Sequence, residues 1–219
     1  MQSLEYLSTL AFGFLMGRNR QFDEYDVLER ATRWVWRHGF SATSMRDIVA
    51  ATGVAKASIY NAFGSREAFF QRLLIYYIER KQAQSLTLLK AARTGRAALQ
   101  AYLDGVLHSP SDESYMSGCL IINIAAEQPA LDDEAQATIN YGLTLIEEQL
   151  TRTIERGVKD GSIDRATEPT VAVPCLLATI LGLYVLKRQG ICQNKLQDMI
   201  DAVLDAFAPT NRLVRSEVA

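Results

Sequence analysis

Residues 43–70, with the sequence TSMRDIVAATGVAKASIYNAFGSREAFF, constrain the fold of this chain more than any other stretch. Ser44 is placed to cap a helix, because Asp47 follows three residues later, as in a capping box. The next apolar positions share one helical face: Met45, Ile48 and Val49. Gly53 then favours an end to the helix, so the pattern predicts a short capped helix followed by a tight turn.

The segment between Gly53 and Gly64 predicts a second helix, which must be short. Its apolar positions face inward: Val54, Ile59 and Phe63. The outward positions combine a cation, hydroxyls, an amide and a small side chain: Lys56, Ala57, Ser58, Tyr60 and Asn61. Such a set suits nucleic acid, because cations and hydroxyls bind phosphates, an amide can read a base edge, and alanines allow close approach.

A third helix is predicted to begin after Ser65, which can cap it. Its N-terminal amides, together with Arg66, form a candidate phosphate site. Two helices joined by a short turn that contains glycine are typical of the helix-turn-helix, whose second helix enters the major groove. Each feature alone is common in helical proteins, where an exposed lysine or tyrosine is usually only solvated.

The order of the features is more specific than any one of them. It is carried by Gly39, Phe40, Thr43, Ser44, Asp47, Ile48, Gly53, Val54, Lys56, Ile59, Tyr60, Phe63, Ser65, Glu67, Ala68 and Phe69. This run resembles the DNA-binding domain of the TetR family of bacterial transcriptional regulators, strongly over residues 22–70 and loosely beyond. Ala57 stands where that family usually has glycine, and Asn61 and Ala62 replace its histidine and tyrosine, which leaves the operator sequence open. Arg66 replaces a lysine and keeps the charge.

The resemblance implies an all-α fold, with an N-terminal three-helix helix-turn-helix DNA-binding domain and a C-terminal helical ligand-binding and dimerisation domain. The expected divisions are an N-terminal extension (1–21), the DNA-binding domain (22–70), the effector-binding and dimerisation domain (71–208) and a C-terminal tail (209–219).

It also implies a sequence-specific regulator, expected to be a repressor released by a small-molecule or electrophile effector. The expected partners are a palindromic double-stranded DNA operator, a small-molecule effector and a second copy of the chain as a homodimer, with no cofactor and no membrane. The expected DNA contacts are Thr43, Ser44, Arg46, Lys56, Ala57, Ser58, Tyr60, Asn61 and Arg66.

The charge distribution agrees with this division of labour. The 219 residues carry a net charge of −2, which argues against a protein whose whole surface is basic and binds nucleic acid. Residues 17–66 hold eight basic and five acidic side chains, a net of +3, so the remainder is near −5. A basic part facing DNA, joined to an acidic regulatory part, is therefore indicated.

The N-terminal apolar run, residues 10–16, resembles part of a signal peptide but follows no basic region, and it is too short to span a bilayer. We therefore expect no export. The resemblance suggests that the native protein starts at Met16, with Arg18 and Arg20 forming either a basic arm toward DNA or a solvated tail.

Residues 22–38 predict an amphipathic helix that braces the helix-turn-helix. Its apolar face comprises Val27, Ala31, Trp34, Val35 and His38. Phe40 is expected to tuck under the bundle, and His38 is interpreted as a capping or packing residue and not as a metal ligand.

The rest of the chain predicts helices only, because no alternating strand pattern competes. Residues 65–92 read as one long helix without a flexible linker, which favours rigid coupling between the two parts. The helices predicted after it are 96–108, 117–127, 132–160, 170–188 and 194–207. The resemblance makes 132–160 and 170–188 the candidates for the dimer interface; the alternative is a hairpin buried inside a monomer.

A ligand pocket is expected between the middle helices, where polar or aromatic groups interrupt apolar faces. The candidates are Tyr102, Met116, Cys119, Leu120, Asn123, Glu127 and Tyr141. The segment 117–127 resembles one in a branch of the family in which some members sense electrophiles through cysteine. Cys119 is therefore either a reactive thiol or a buried small apolar residue.

The three cysteines show no metal-ligand spacing and, in a chain without an export signal, indicate reduced thiols in the cytoplasm. No nucleotide-binding, hydrolase or metalloprotease motif is present, so an enzyme is not expected. An all-helical enzyme using scattered carboxylates, or a protein-interaction module, is the alternative.

Overall fold

The computed structural model describes residues 22–108, 119–125 and 132–210, and these ranges contain helices and no strand. We number the helices in chain order: α1 (Glu24–His38), α2 (Met45–Thr52), α3 (Lys56–Phe63), α4 (Arg66–Ala91), α5 (Gly95–Leu107), α6 (Leu120–Ala125), α7 (Asp133–Asp160), α8 (Pro169–Arg188) and α9 (Gln193–Asp205). The all-α prediction is confirmed. The predicted N-terminal extension, with Arg18 and Arg20, lies outside the described residues, as does the predicted tail beyond its first two residues.

Helix α1 begins at a cap formed by Asp23, whose carboxylate accepts the N–H of Tyr25 at 2.8 Å. The predicted apolar face is buried at three of its five positions: Val27, Ala31 and Val35. His38 is exposed, and its ring stacks on Trp34 with centroids 3.9 Å apart. This stacking agrees with the packing role predicted for His38.

The first of two core clusters joins α1, α2, α3 and the N-terminal half of α4. Phe40 contacts Phe70 edge-on with ring centroids 5.1 Å apart, so it tucks under the bundle as predicted. Residues of α6 and the start of α7, including Ile124 and Ile139, belong to the same cluster. The core that supports the helix-turn-helix therefore includes residues from well beyond position 70.

The second cluster joins the C-terminal end of α4 to α5, α7, α8 and α9. Helix α4 is continuous over 26 residues, about 39 Å, and contributes to both clusters. Leu73 and Leu74 pack in the first cluster and Leu89 packs in the second. The long helix predicted at 65–92 is thus present and joins the two parts without a flexible linker.

Helix α8 is apolar around most of its circumference but is buried on one side only. Its segment Pro169–Lys187 has a mean hydropathy of 2.0 and, by length and composition alone, could cross a bilayer. Only 28% of the apolar stretch in this segment is buried inside the protein. We define the outer stripe of α8 by its exposed small or apolar residues: Val171, Cys175, Ala178, Leu181 and Val185. A helix that is apolar on all sides is expected to be buried on all sides. Within the described part of one chain, nothing buries the outer stripe.

Candidate nucleic-acid interface and central cavity

Helix α2 is held at its start by the capping box that the sequence predicts. The Ser44 N–H donates to the Asp47 carboxylate at 2.9 Å, and the Asp47 N–H donates back to the Ser44 hydroxyl at 3.3 Å. The Ser44 hydroxyl and N–H together lower the pKa of Asp47, since both donate to its ionised carboxylate. At the other end, Gly53 adopts φ +71°, a left-handed conformation that suits glycine and turns the chain into α3.

Helix α3 is oriented by its inward-facing apolar side chains. Ile59 is fully buried, and the Phe63 ring contacts Phe69 edge-on with centroids 5.1 Å apart. The opposite face carries the residues predicted to contact DNA: Lys56, Ala57 and Asn61 are exposed, and Ser58 and Tyr60 are partly buried. The Lys56 amine lies 5.3 Å from the centre of the Tyr60 ring. The polar groups of α3 therefore form one outward surface with a cation beside a phenol.

Arg66 lies beside this surface at the start of α4. Its guanidinium lies 4.7 Å from the centre of the Phe70 ring and donates to the Thr43 carbonyl at 3.4 Å. Ser65 caps α4, because its hydroxyl accepts the N–H of Ala68 at 3.1 Å. The predicted arrangement of a capped helix start with an adjacent arginine is present.

Three cations define the candidate DNA-facing surface: Arg46, Lys56 and Arg66, all exposed. Within the described part of the chain none of the three pairs with a carboxylate. By contrast, Arg30 and Arg33 of α1 form ion pairs with Asp26 and Glu29, both at 3.0 Å. Arg46, Lys56 and Arg66 are therefore not held by a described carboxylate, which suits binding to phosphates.

Thr43 and Ser44 are engaged within the protein. The Thr43 side chain is buried, its hydroxyl donates to the Gly39 carbonyl at 2.6 Å, and its N–H donates to the Phe40 carbonyl at 3.2 Å. Thr43 thus supports the loop before α2 and has no donor left for a phosphate in this conformation. The Ser44 hydroxyl remains exposed but donates to Asp47 at 2.5 Å.

A central cavity of about 90 Å³ lies in the helical body, between α4, α5, α7, α8 and the segment that begins at Cys119. Most of the area that lines it is apolar. The polar residues that line it are Tyr77, Lys81, Gln82, Gln84, Ser85, Tyr102, Cys119, Gln149 and Tyr184.

Two of the polar groups of the cavity, those of Tyr77 and Cys119, contact each other. The Tyr77 hydroxyl accepts the N–H of Leu120 at 3.0 Å and lies 3.5 Å from the Cys119 sulfur, toward which it donates. Burial raises the pKa of Tyr77 and Tyr184 well above the usual value and raises that of Tyr102 to about 12. The three phenols are therefore neutral near pH 7, and those of Tyr102 and Tyr184 can donate hydrogen bonds to a ligand.

Of the predicted pocket residues, Tyr102 and Cys119 line the cavity. Leu120 is buried in the first core cluster, and Tyr141 packs against that cluster; neither they nor Asn123 line the cavity. Met116 and Glu127 lie outside the described residues. Tyr77, Lys81 and Tyr184 were not predicted as pocket residues, because nothing local distinguishes them from other tyrosines and lysines on amphipathic helices.

Cys119 is buried, while Cys175 and Cys192 are exposed, and all three are free thiols. Among the described residues no group of three or more His, Cys, Asp or Glu side chains is placed to hold a metal ion.

Comparison with known proteins identifies two matching families. The family described as bacterial regulatory proteins, tetR family, matches residues 27–73. The family described as tetracyclin repressor-like, C-terminal domain, matches residues 95–206. The first match includes α2 and α3, and the second includes most of the cavity wall.

Curated relatives align over most of their length. The chain is 26% identical over 193 residues to the uncharacterized HTH-type transcriptional regulator YezE of Bacillus subtilis, covering 88% of this chain and 100% of YezE. It is 25% identical over 189 residues to the HTH-type transcriptional repressor ComR of Escherichia coli, covering 86% of this chain and 90% of ComR.

Solved structures share the fold. The reduced form of NemR from E. coli superposes with a TM-score of 0.77 at 22% identity, over 84% of this chain and 97% of NemR. A cysteine mutant of the TetR family regulator CifR, in complex with 26-base-pair operator DNA, superposes with a TM-score of 0.76 at 22% identity, over 87% of this chain and 100% of that chain.

Proposed function

The chain belongs to the TetR family and is a DNA-binding transcriptional regulator, and we propose that it is a repressor that an effector releases from its operator. This identification makes the chain a regulator and not an enzyme. The observation that carries the proposal is the outward surface of α2, α3 and the start of α4, where three cations have no carboxylate partner among the described residues. Repression is supported by the similarity of this chain to the transcriptional repressor ComR. A regulator of this kind acts on bacterial DNA, so we place it in the cytoplasm.

In the proposed complex α3 enters the major groove. Lys56 and Arg66 neutralise phosphates, Asn61 reaches a base edge, and Tyr60 donates its hydroxyl to the backbone. The remaining proposed contacts are Ser44, Arg46, Ala57 and Ser58. Thr43 is proposed to act indirectly, because its buried hydroxyl holds the loop that precedes α2.

We propose that two copies bind one palindromic operator. One helix-turn-helix reads only a few base pairs, and twofold symmetry places two recognition helices about 34 Å apart on successive turns of DNA. The outer stripe of α8 supports this arrangement, because the exposed fractions of Val171 (62%) and Val185 (57%) are unusual for an apolar helix unless another surface covers it.

The central cavity is the proposed effector site. A mostly apolar lining area that also carries polar groups is typical of small-molecule sites. It lies against α4, the helix that continues from the helix-turn-helix into the body. An effector that binds more tightly when the two α3 helices are wrongly spaced would shift the population away from the DNA-binding state and relieve repression.

An electrophile is the second candidate effector, and Cys119 is its proposed target. The thiol lines the cavity, with the Tyr77 hydroxyl 3.5 Å from its sulfur. The fold neighbours include the reduced form of NemR and a cysteine mutant of CifR. Burial of Cys119 limits attack to molecules that can enter the cavity.

The test is a gel shift with DNA that flanks the gene for this chain. We expect a specific complex with a Kd of roughly 10⁻⁸ M or lower, and log K should fall linearly with log salt concentration. A palindrome within the shifted fragment should compete, and a scrambled copy of it should not. Equal affinity for the palindrome and the scrambled copy would contradict operator recognition.

A further inference from the structure

The central cavity contains a cation that has no counter-ion in the described part of the chain. Lys81, on α4, lines the cavity and is partly buried. Its amine lies 3.4 Å from the side-chain carbonyl of Gln84 and 5.7 Å from the centre of the Trp36 ring. Neither neighbour neutralises it, and no described carboxylate pairs with it. A partly buried ammonium without a counter-ion is unfavourable, so the site favours an anion.

A second lysine adds to the positive potential. The Lys187 amine donates to the Val106 carbonyl at 3.4 Å, and Val106 also lines the cavity. The pKa of Lys187 is lowered, first by burial and then by the charge of Lys81. Burial likewise lowers the pKa of Lys81, since it penalises the ammonium form. The cavity therefore has the Lys81 amine in its lining and the Lys187 amine beside Val106, while most of the lining area is apolar.

We propose that the effector is a small organic carboxylate, whose apolar body fills the cavity and whose carboxylate pairs with the Lys81 ammonium. The neutral phenols of Tyr102 and Tyr184 can donate further hydrogen bonds to it. This inference rests on the proposed regulatory function, since it names the class of effector for the same cavity.

The position of Lys81 also connects the ligand to the DNA-binding part. Trp36 belongs to α1, and its ring contacts Tyr77 edge-on with centroids 5.4 Å apart, while the Lys81 amine lies over it. A carboxylate that draws the Lys81 ammonium into the cavity removes a contact from Trp36. Helix α1, which braces the helix-turn-helix, would thereby respond to cavity occupancy.

Trp36 also provides the signal for the experiment. The chain has two tryptophans, so Trp34→Phe leaves Trp36 as the single indole reporter. The full-length Trp34→Phe protein is titrated with matched pairs of a carboxylate and its neutral amide: benzoate and benzamide, phenylacetate and phenylacetamide, cinnamate and cinnamamide. Affinities are measured by calorimetry and by Trp36 fluorescence.

We expect at least one carboxylate to bind roughly tenfold or more tightly than its amide, because a charge-assisted hydrogen bond to Lys81 is lost in the amide. Lys81→Met should remove this preference while preserving the aliphatic stem, and Lys81→Arg should keep it. Lys90→Met, an exposed lysine on the same helix, is the matched control and should leave the preference unchanged.

Equal affinity for every carboxylate and its amide in the Trp34→Phe protein would overturn the inference. So would an undiminished preference in a folded Lys81→Met variant. The regulatory function is tested separately, by operator binding without any carboxylate. A protein that binds its operator but shows no carboxylate preference would overturn only the effector class, whereas loss of specific operator binding would overturn the function itself.

Discussion

Two inward-facing residues of α3, Ile59 and Phe63, determine which of its polar side chains reach solvent. Because they lie one turn apart and pack against the core, the opposite face presents Lys56 and Asn61 outward. Tyr60 lies between these faces: it packs partly against the core and also contacts the Lys56 amine. The burial of Ile59 and Phe63 thus orients the polar face of α3 toward solvent, which makes α3 a candidate recognition helix.

We expect Lys56→Ala and Tyr60→Ala each to weaken operator binding by about tenfold or more, since each removes a contact to the DNA backbone. For Lys56→Ala the slope of log K against log salt should also become shallower by about 1 per subunit. Gel shifts over a salt series measure both quantities.

The control for these substitutions is Lys90→Ala, which removes an exposed lysine near the far end of α4. It should leave operator affinity unchanged. Dimerisation should be intact in all three variants, and a dimer lost in Lys56→Ala or Tyr60→Ala would contradict the separation of DNA binding from assembly.

At the scale of helices, α4 ties the helix-turn-helix to the body through specific contacts. The Tyr76 hydroxyl donates to Glu29 of α1 at 2.6 Å, and Arg80 forms an ion pair with the same carboxylate. On another side, the Gln71 amide donates to the Thr138 hydroxyl of α7 at 2.5 Å. These contacts, with the two core clusters, let a rearrangement of the body reach α1 without a flexible joint.

The crossing of α5 and α7 depends on two glycines. The start of α5 abuts the end of α7, where the Gly95 N–H donates to the Asp160 carboxylate at 2.8 Å. A Cβ at Gly95 would overlap the backbone of Gly157 and lie 2.7 Å from the Thr153 carbonyl oxygen. The backbones can approach this closely only because neither glycine carries a side chain.

We therefore expect Gly95→Ala to lower the free energy of unfolding by about 3 kcal/mol, because the helices must move apart. Gly105→Ala, on the same helix, is the control: its Cβ would meet only the flexible tip of Leu88, at 3.0 Å, and should cost less than about 1 kcal/mol. Urea unfolding at one fixed protein concentration measures both changes, and equal costs would contradict this account of the crossing.

At the scale of the whole molecule, the outer stripe of α8 is an apolar surface that the described part of one chain leaves exposed to solvent. The exposed fractions of Val171, Leu181 and Val185 are 62%, 38% and 57%, although each lies on an otherwise apolar helix. A second copy, packed through α7 and α8, would bury this stripe and also supply the second helix-turn-helix that a twofold operator requires.

We expect Leu181→Glu to give a folded monomer, since a charge in a buried apolar interface is unpaired. Its operator affinity should fall by roughly 100-fold or more, because the second half-site no longer binds as part of the same molecule. Sedimentation and gel shifts measure the two effects. Ala97→Glu, on the exposed side of α5, is the control and should remain dimeric; a dimeric Leu181→Glu protein would contradict the assignment of the interface.

The sequence by itself was sufficient for the helices and for the order of the helix-turn-helix. Capping by Ser44 and Ser65, and a left-handed turn at Gly53, depend on neighbours within three or four residues, so they can be read locally. The outward face of α3 could be predicted for the same reason, because helical periodicity relates Ile59 to Phe63 without knowledge of the rest of the fold.

Only the tertiary structure decided the lining of the cavity and the engagement of Thr43. Lys81 and Tyr184 meet at the same cavity although 103 positions separate them in the chain, and nothing in the helical pattern around either one relates it to the other. Thr43 is buried, and its carbonyl accepts a hydrogen bond from Arg66, 23 positions later in the chain, a contact that the periodicity of α2 does not predict. Local patterns determine which residues share a face of a helix, whereas packing between helices determines what that face meets.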